Sequence, residues 1–87
     1  MPVHAYRSRE QFMLEHPAIM EKADALVSEE PTSCIWQFDH ALYDKRRRQY
    51  VVAYASQCSS RPEPCILTIE IRVYRGKLST RVYQRFE

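Results

Sequence analysis

Four consecutive cations, Lys45-Arg46-Arg47-Arg48, are the densest charge feature of this sequence, and ten of its thirteen basic residues are arginine. Arginine carries a planar fork of donors that meets carboxylate or phosphate oxygens two at a time. Arg72, Arg75, Arg81 and Arg85 follow in the same half of the chain, interleaved with Tyr74 and Tyr83. Flat, rigid tyrosine rings beside guanidinium groups suit a protein interface. The same rings can stack on unpaired bases. The expected binding set is Lys45, Arg46, Arg47, Arg48, Arg72, Tyr74, Arg81, Tyr83 and Arg85. The glycine- and phenylalanine-bearing signature of RNA-binding sheets is absent. These residues therefore point to an acidic surface, of protein or of nucleic acid, without choosing between them.

Other chemistry is weaker. Cys34, Cys58 and Cys65 are odd in number and lack the short ligand spacing of structural zinc sites, so they read as reduced thiols that pack as small apolar groups. No metal site and no cofactor is expected. His4, His16 and His40 are scattered; His16 falls on a helical apolar stripe and His40 between Phe38 and Leu42, which predicts packed histidines. Ser59 and Ser60 have no base placed beside them, and Asp39 and Glu70 stand apart, so no catalytic residue is assigned. A single glycine, Gly76, rules out a glycine-rich phosphate loop.

The elements that must position these residues can be read from periodicity. Residues 1–87 are expected to form one domain, since a chain of this length holds a single core. Ser8-Arg9-Glu10-Gln11 matches a capping box and predicts a helix start. Phe12, Met13, His16, Ile19, Met20, Ala23, Leu26 and Val27 then repeat at helical spacing. Pro17 lies within that stripe and predicts a kink, or a break with immediate restart. Residues 28–33, with Pro31, end the element. Four runs with period two follow, at 34–43, 48–58, 65–74 and 77–86. Val3 to Tyr6 is a candidate for a short extra strand. The expected fold is α+β, with the N-terminal helical segment packed on one face of a four-stranded antiparallel meander.

A one-residue slip would turn a strand inside out, so the registers test one another. Pairing the first two runs about an Asp44–Arg47 turn opposes Phe38 to Tyr54 and His40 to Val52. The next pairing opposes Tyr54 to Ile69, Val52 to Ile71 and Cys58 to Cys65. A two-residue loop at Arg75-Gly76 then pairs Val73 with Leu78, Ile69 with Val82 and Glu70 with Arg81, the last as a cross-strand ion pair. One face collects the large aliphatic residues. The other carries Gln37, Asp39, Ala41, Val51, Ala53, Ala55, Thr68, Glu70, Arg72, Tyr74, Arg81, Tyr83 and Arg85.

Charge follows the same division. Residues 1–43 carry three basic and seven acidic groups, a net of −4; residues 44–87 carry ten and four, a net of +6. No apolar run approaches the ~20 residues of a membrane span, and the N-terminus lacks the apolar core of a signal peptide. The expectation is a cytoplasmic protein with no membrane association. Its leading functional reading is a small non-enzymatic binding module whose Arg/Tyr-rich sheet face and basic hairpin turn engage an acidic surface. A small chain without catalytic motifs suits an inhibitor or adaptor from a phage or other mobile element, the anti-CRISPR kind included. The alternative is a metal-independent, toxin-type ribonuclease using Arg72, Arg81, Tyr83 and Arg85, ranked second because no histidine or carboxylate base is placed among them. A homodimer through the C-terminal edge strand is compatible with either.

Overall fold

The computed structural model describes residues 3–30, 34–58 and 65–86, with the side chains of residues 34, 57, 58, 85 and 86 outside the description. Its order is β1 (Val3–Tyr6), α1 (Arg9–Glu15), α2 (Pro17–Ser28), β2 (Cys34–Asp44), β3 (Gln49–Cys58), β4 (Cys65–Tyr74) and β5 (Lys77–Phe86). The five strands form one antiparallel sheet in sequence order, so the short N-terminal segment is a fifth strand added to the expected four. Val3 pairs with Asp44 and Tyr6 with Ala41.

Local chemistry accounts for the helical layer. Ser8 is extended, and its Oγ accepts from the Gln11 N–H at 3.3 Å, which caps α1. Among the described residues no return bond runs from the Ser8 N–H to the Gln11 side chain, whose Nε2 donates to Glu15. Pro17 breaks the helix: His16 leaves helical geometry at φ −137° and ψ 63°, and Pro17 becomes the first residue of α2. A missing N–H costs nothing at that position. Phe12, Ile19, Met20 and Ala23 keep one apolar stripe across the break and pack on Tyr6, Ala41, Val52, Leu67, Ile69 and Ile71. Each large aliphatic or aromatic side chain buried there stabilises the fold by roughly 1.5–3 kcal/mol.

A polar latch ties the two helices to the sheet. Arg9 forks onto the Asp24 carboxylate through both terminal nitrogens, and Tyr54 Oη donates to Asp24 Oδ1 at 2.9 Å. Hydrogen bonding from Arg9, with Tyr54 assisting, holds the Asp24 carboxyl below the usual range. Burial, then the bond to Asp24, pushes the Tyr54 phenol up.

Three registers decide which side chains share a face. The β4–β5 pairing is as the sequence predicts, with Val73 opposite Leu78, Ile69 opposite Val82 and a two-residue loop. Arg75 and Gly76 both take positive φ, 50° and 75°, as a hairpin turn matching strand twist requires. Between β3 and β4 the pairing lies two residues from expectation: Val52 meets Ile69 and Tyr54 meets Leu67. A shift of two preserves every face, but it carries Cys65 away from the position opposite Cys58. Cys65 is a buried free thiol; the Cys34 and Cys58 thiols lie outside the described residues.

The β2–β3 pairing brings the main correction. It follows the expected register from Cys34–Cys58 to Phe38–Tyr54, then shifts at Asp39 so that His40 meets Ala53 and Ala41 meets Val52. This β-bulge puts one extra residue on β2. Beyond it Ala41 and Tyr43, rather than His40 and Leu42, take the core side. Ala41 is fully buried there, and Tyr43 stacks on Tyr50 at 4.5 Å. Asp39 and His40 thus lie side by side on the outer face, and the turn moves to residues 45–48.

Candidate functional site

The meander brings the β2–β3 and β4–β5 turns to the same end of the sheet. In the first, Asp44 Oδ1 accepts from the N–H groups of Arg46 (3.1 Å) and Arg47 (3.3 Å), a side-chain-closed turn that holds the cationic run in place. Arg48 adopts a left-handed φ of 50°. Its carbonyl accepts from the Val73 N–H at 3.1 Å, which binds the basic turn to β4. Lys45, Arg46, Arg47 and Arg48 are all exposed. Arg47 reaches Asp44 at 3.8 Å, the only ion pair of this turn among the described residues.

Arg72, Tyr74, Arg75 and Lys77 extend the cationic end through the second hairpin, all exposed. Tyr74 is 64% accessible, and the Arg75 guanidinium lies 5.3 Å from its ring centre. Arg81 and Tyr83 lie further along β5 on the outer face; the Arg85 backbone pairs with Ile66, while its side chain lies outside the described residues. A shallow hollow of about 220 Å³ opens among Gln49, Glu70, Arg72, Ser79, Thr80 and Arg81. Glu70 and Arg81 are opposite one another as expected, yet among the described residues no ion pair joins them. Glu70 Oε1 instead accepts from Tyr83 Oη at 2.8 Å. Arg72 and Arg81 therefore line the hollow with guanidinium groups that no carboxylate neutralises within ion-pair distance among the described residues.

Sequence reasoning placed His40 in the core, whereas the bulge sets it on this outer face. His40 Nδ1 lies 2.6 Å from Asp39 Oδ2. Apolar alternation could not reveal this, because Phe38, His40 and Leu42 continue an unbroken period of two through the bulge.

His16 also gains a setting that its position on the stripe did not announce. At the break between α1 and α2 its Nδ1 lies 3.2 Å from Tyr50 Oη and its Nε2 lies 3.3 Å from Tyr6 Oη. Tyr6 Oη donates in turn to Glu15 at 3.2 Å. Burial lowers the His16 pKa and pushes the Tyr50 phenol up to about 12, the latter with help from Tyr43. These groups are mutually satisfied and packed ring on ring with Phe12 and Tyr43, which suits a structural junction.

Among the described residues no group of three or more histidine, cysteine, aspartate or glutamate side chains is placed to hold a metal ion, and no helix is long and apolar enough to cross a membrane. Comparison with protein families, with curated proteins and with solved structures finds no match.

Proposed function

We propose that this protein is a binding module whose cationic hairpin end and Arg/Tyr outer sheet face engage an acidic surface. The observation that carries the reading is the convergence of Lys45–Arg48 with Arg72, Arg75 and Lys77 at one end of the sheet. Asp44 is the one acid within that group of segments. Charges left uncompensated on an exposed rim attract opposite charge over distance while contributing little to folding. Tyr74 and Tyr83 add flat surfaces beside the guanidinium groups, as an interface or a base-stacking platform needs.

Nucleic acid is the acidic partner that these features favour. Backbone phosphates recur at short intervals, and arginine forks spread over two hairpins and a strand can meet several at once. Such a module suits an inhibitor or adaptor, including one of the anti-CRISPR kind, that occupies a nucleic-acid-binding machine or its nucleic acid. Recovery of the native partner from the source cell with and without nuclease treatment separates the two chemistries: loss on treatment marks nucleic acid, retention marks an acidic protein surface.

The test is the affinity for a short single-stranded RNA measured against salt. Wild-type affinity should fall steeply as salt rises, because each phosphate contact releases a counterion. Replacing Arg46, Arg47 and Arg48 together by glutamate should abolish binding while the melting temperature stays nearly unchanged. RNA binding that survives the triple reversal and ignores salt would overturn the assignment of the site to the cationic hairpin end.

A further inference from the structure

The outer sheet face holds more than cations. Across the strands, His40 lies opposite Ala53, Ala53 opposite Thr68, and Thr68 opposite Tyr83. One row nearer the cationic end, Val51 lies opposite Glu70, and Glu70 opposite Arg81. His40 and Glu70 thus flank a floor made of Ala53 and Val51. Two strand spacings separate them laterally, about 9.6 Å at the backbone, with an offset of about 7 Å along the strands. A group bound over Ala53 and Val51 would have His40 on one side and Glu70 on the other.

We propose that this groove cleaves single-stranded RNA by attack of the 2′-hydroxyl on the neighbouring phosphate, a proposal that rests on the nucleic-acid reading of the basic face. Each requirement of that reaction is met by a residue of this face. The Glu70 carboxylate, held by Tyr83 Oη at 2.8 Å, is the base. His40 is the acid: Asp39 engages its Nδ1 and orients the ring, and among the described residues its Nε2 has no hydrogen-bond partner. Arg72 and Arg81, lining the adjoining hollow, neutralise charge on the non-bridging phosphate oxygens. The bulge at Asp39 creates the arrangement, since without it His40 would face the core. Bulges recur beside active sites, where they re-aim a side chain.

The step balances without a further reactant. Glu70 takes the proton of the 2′-hydroxyl; the 2′-oxygen forms a bond to phosphorus; the bond from phosphorus to the 5′-oxygen breaks; and His40 Nε2–H gives its proton to the departing 5′-oxygen. The products are a 2′,3′-cyclic phosphate and a 5′-hydroxyl. A 2′-deoxy strand lacks the nucleophile and cannot react.

The experiment incubates the full chain with a short randomised-sequence single-stranded RNA and with its all-deoxy counterpart, and follows binding and cleavage separately. The expected result is RNA fragments ending in 2′,3′-cyclic phosphate, with the deoxy strand bound and intact. His40→Ala and Glu70→Gln should each lower the cleavage rate by roughly 10²-fold or more, the usual loss for a positioned acid or base, while leaving the dissociation constant within a few-fold. Asp39→Asn, altering a positioning residue, should lower the rate less and bind equally. Melting curves on each variant confirm that these exposed or half-exposed positions leave the fold intact. RNA that binds in a salt-dependent manner yet stays whole with protein in excess would overturn the cleavage proposal and leave the binding reading standing. No binding to either strand would remove both. Cleavage that persists in both the His40 and the Glu70 variants would also overturn the assignment.

Discussion

Deleting Asp39 should leave the fold intact, although a deletion inside a central strand ordinarily destroys one. On one side of Asp39 the β2–β3 ladder runs from Cys34–Cys58 to Phe38–Tyr54, and on the other from His40–Ala53 to Asp44–Gln49. Asp39 is the residue without a partner between them. Its removal sets His40 directly after Phe38, still opposite Ala53, and every side chain keeps its face. A ladder bond regained there is worth a net ~0.5–1.5 kcal/mol. One residue fewer must be ordered, which spares about 1–2 kcal/mol of conformational entropy. Against these stand the lost pair with His40, between side chains 34% and 44% exposed, and the relaxation of the extra twist. An exposed pair of that kind contributes ~0–1 kcal/mol. These terms leave the variant roughly 0.5–3.5 kcal/mol more stable before the twist relaxes, so the deletion should cost little or nothing in stability. Deleting Ala53 from β3 is the control. No bulge absorbs that loss, so part of β3 slips by one residue and turns either Tyr50 and Val52 or Tyr54 out of the core. At roughly 1.5–3 kcal/mol for each large side chain, that loss removes about 1.5–6 kcal/mol of the ~4–13 kcal/mol available to a domain of this size. Urea unfolding followed by Trp36 fluorescence reads both variants. If the Asp39 deletion is as damaging as the Ala53 deletion, β2 has no bulge there and His40 belongs to the core.

The remaining predictions concern packing and pH. Ile69→Ala and Ile71→Ala, at fully buried positions, should each lose ~2–5 kcal/mol in denaturant melts, whereas Thr68→Ala on the opposite face should lose far less. Similar losses at Thr68 and Ile69 would show the faces to be misassigned. Burial depresses the folded-state pKa of His16, so the unfolded chain takes up that proton first as pH falls. Stability should be full above the ordinary histidine pKa of about 6.5 and should fall as pH drops through it toward the folded value. His16→Gln should flatten that part of the profile, measured by urea unfolding at a series of pH values. Asp24 is depressed as well, by Arg9 first, so its contribution persists to lower pH and is lost only below the ordinary carboxyl range.

What was legible in the sequence, and what was not, follows from how strongly each feature constrains the chain. The break at Pro17 and the turn at Arg75-Gly76 were readable, because proline lacks a donor and glycine tolerates positive φ, and each has a fixed place in an element. The β4–β5 register followed from that two-residue turn. The β3–β4 register lay two residues away because the connecting segment is longer and a shift of two leaves the same residues facing inward. The bulge at Asp39 was hidden for a different reason. His40 and Leu42 fit a core face as readily as an outer one, and only the pairing of Ala41 with Val52 and the stacking of Tyr43 on Tyr50 decide between them. The basic end was visible as a run of residue types. The placement of Asp39 and His40 on the outer face depended on that hidden bulge. The histidine–tyrosine junction around His16 was invisible because its members come from β1, the helix break, β2 and β3, which sequence spacing does not connect.

The proposed binding surface is the cationic hairpin end with the adjoining Arg/Tyr face. Titration of the isotope-labelled protein with a short single-stranded RNA at low salt, followed through backbone amide shifts, tests it residue by residue. The largest changes should fall in residues 45–49, 72–77 and 79–83 and fade as salt is added, with the amides of α2 unmoved. Changes concentrated along the helices near Glu15, Glu21 and Asp24, with the two hairpins silent, would contradict it.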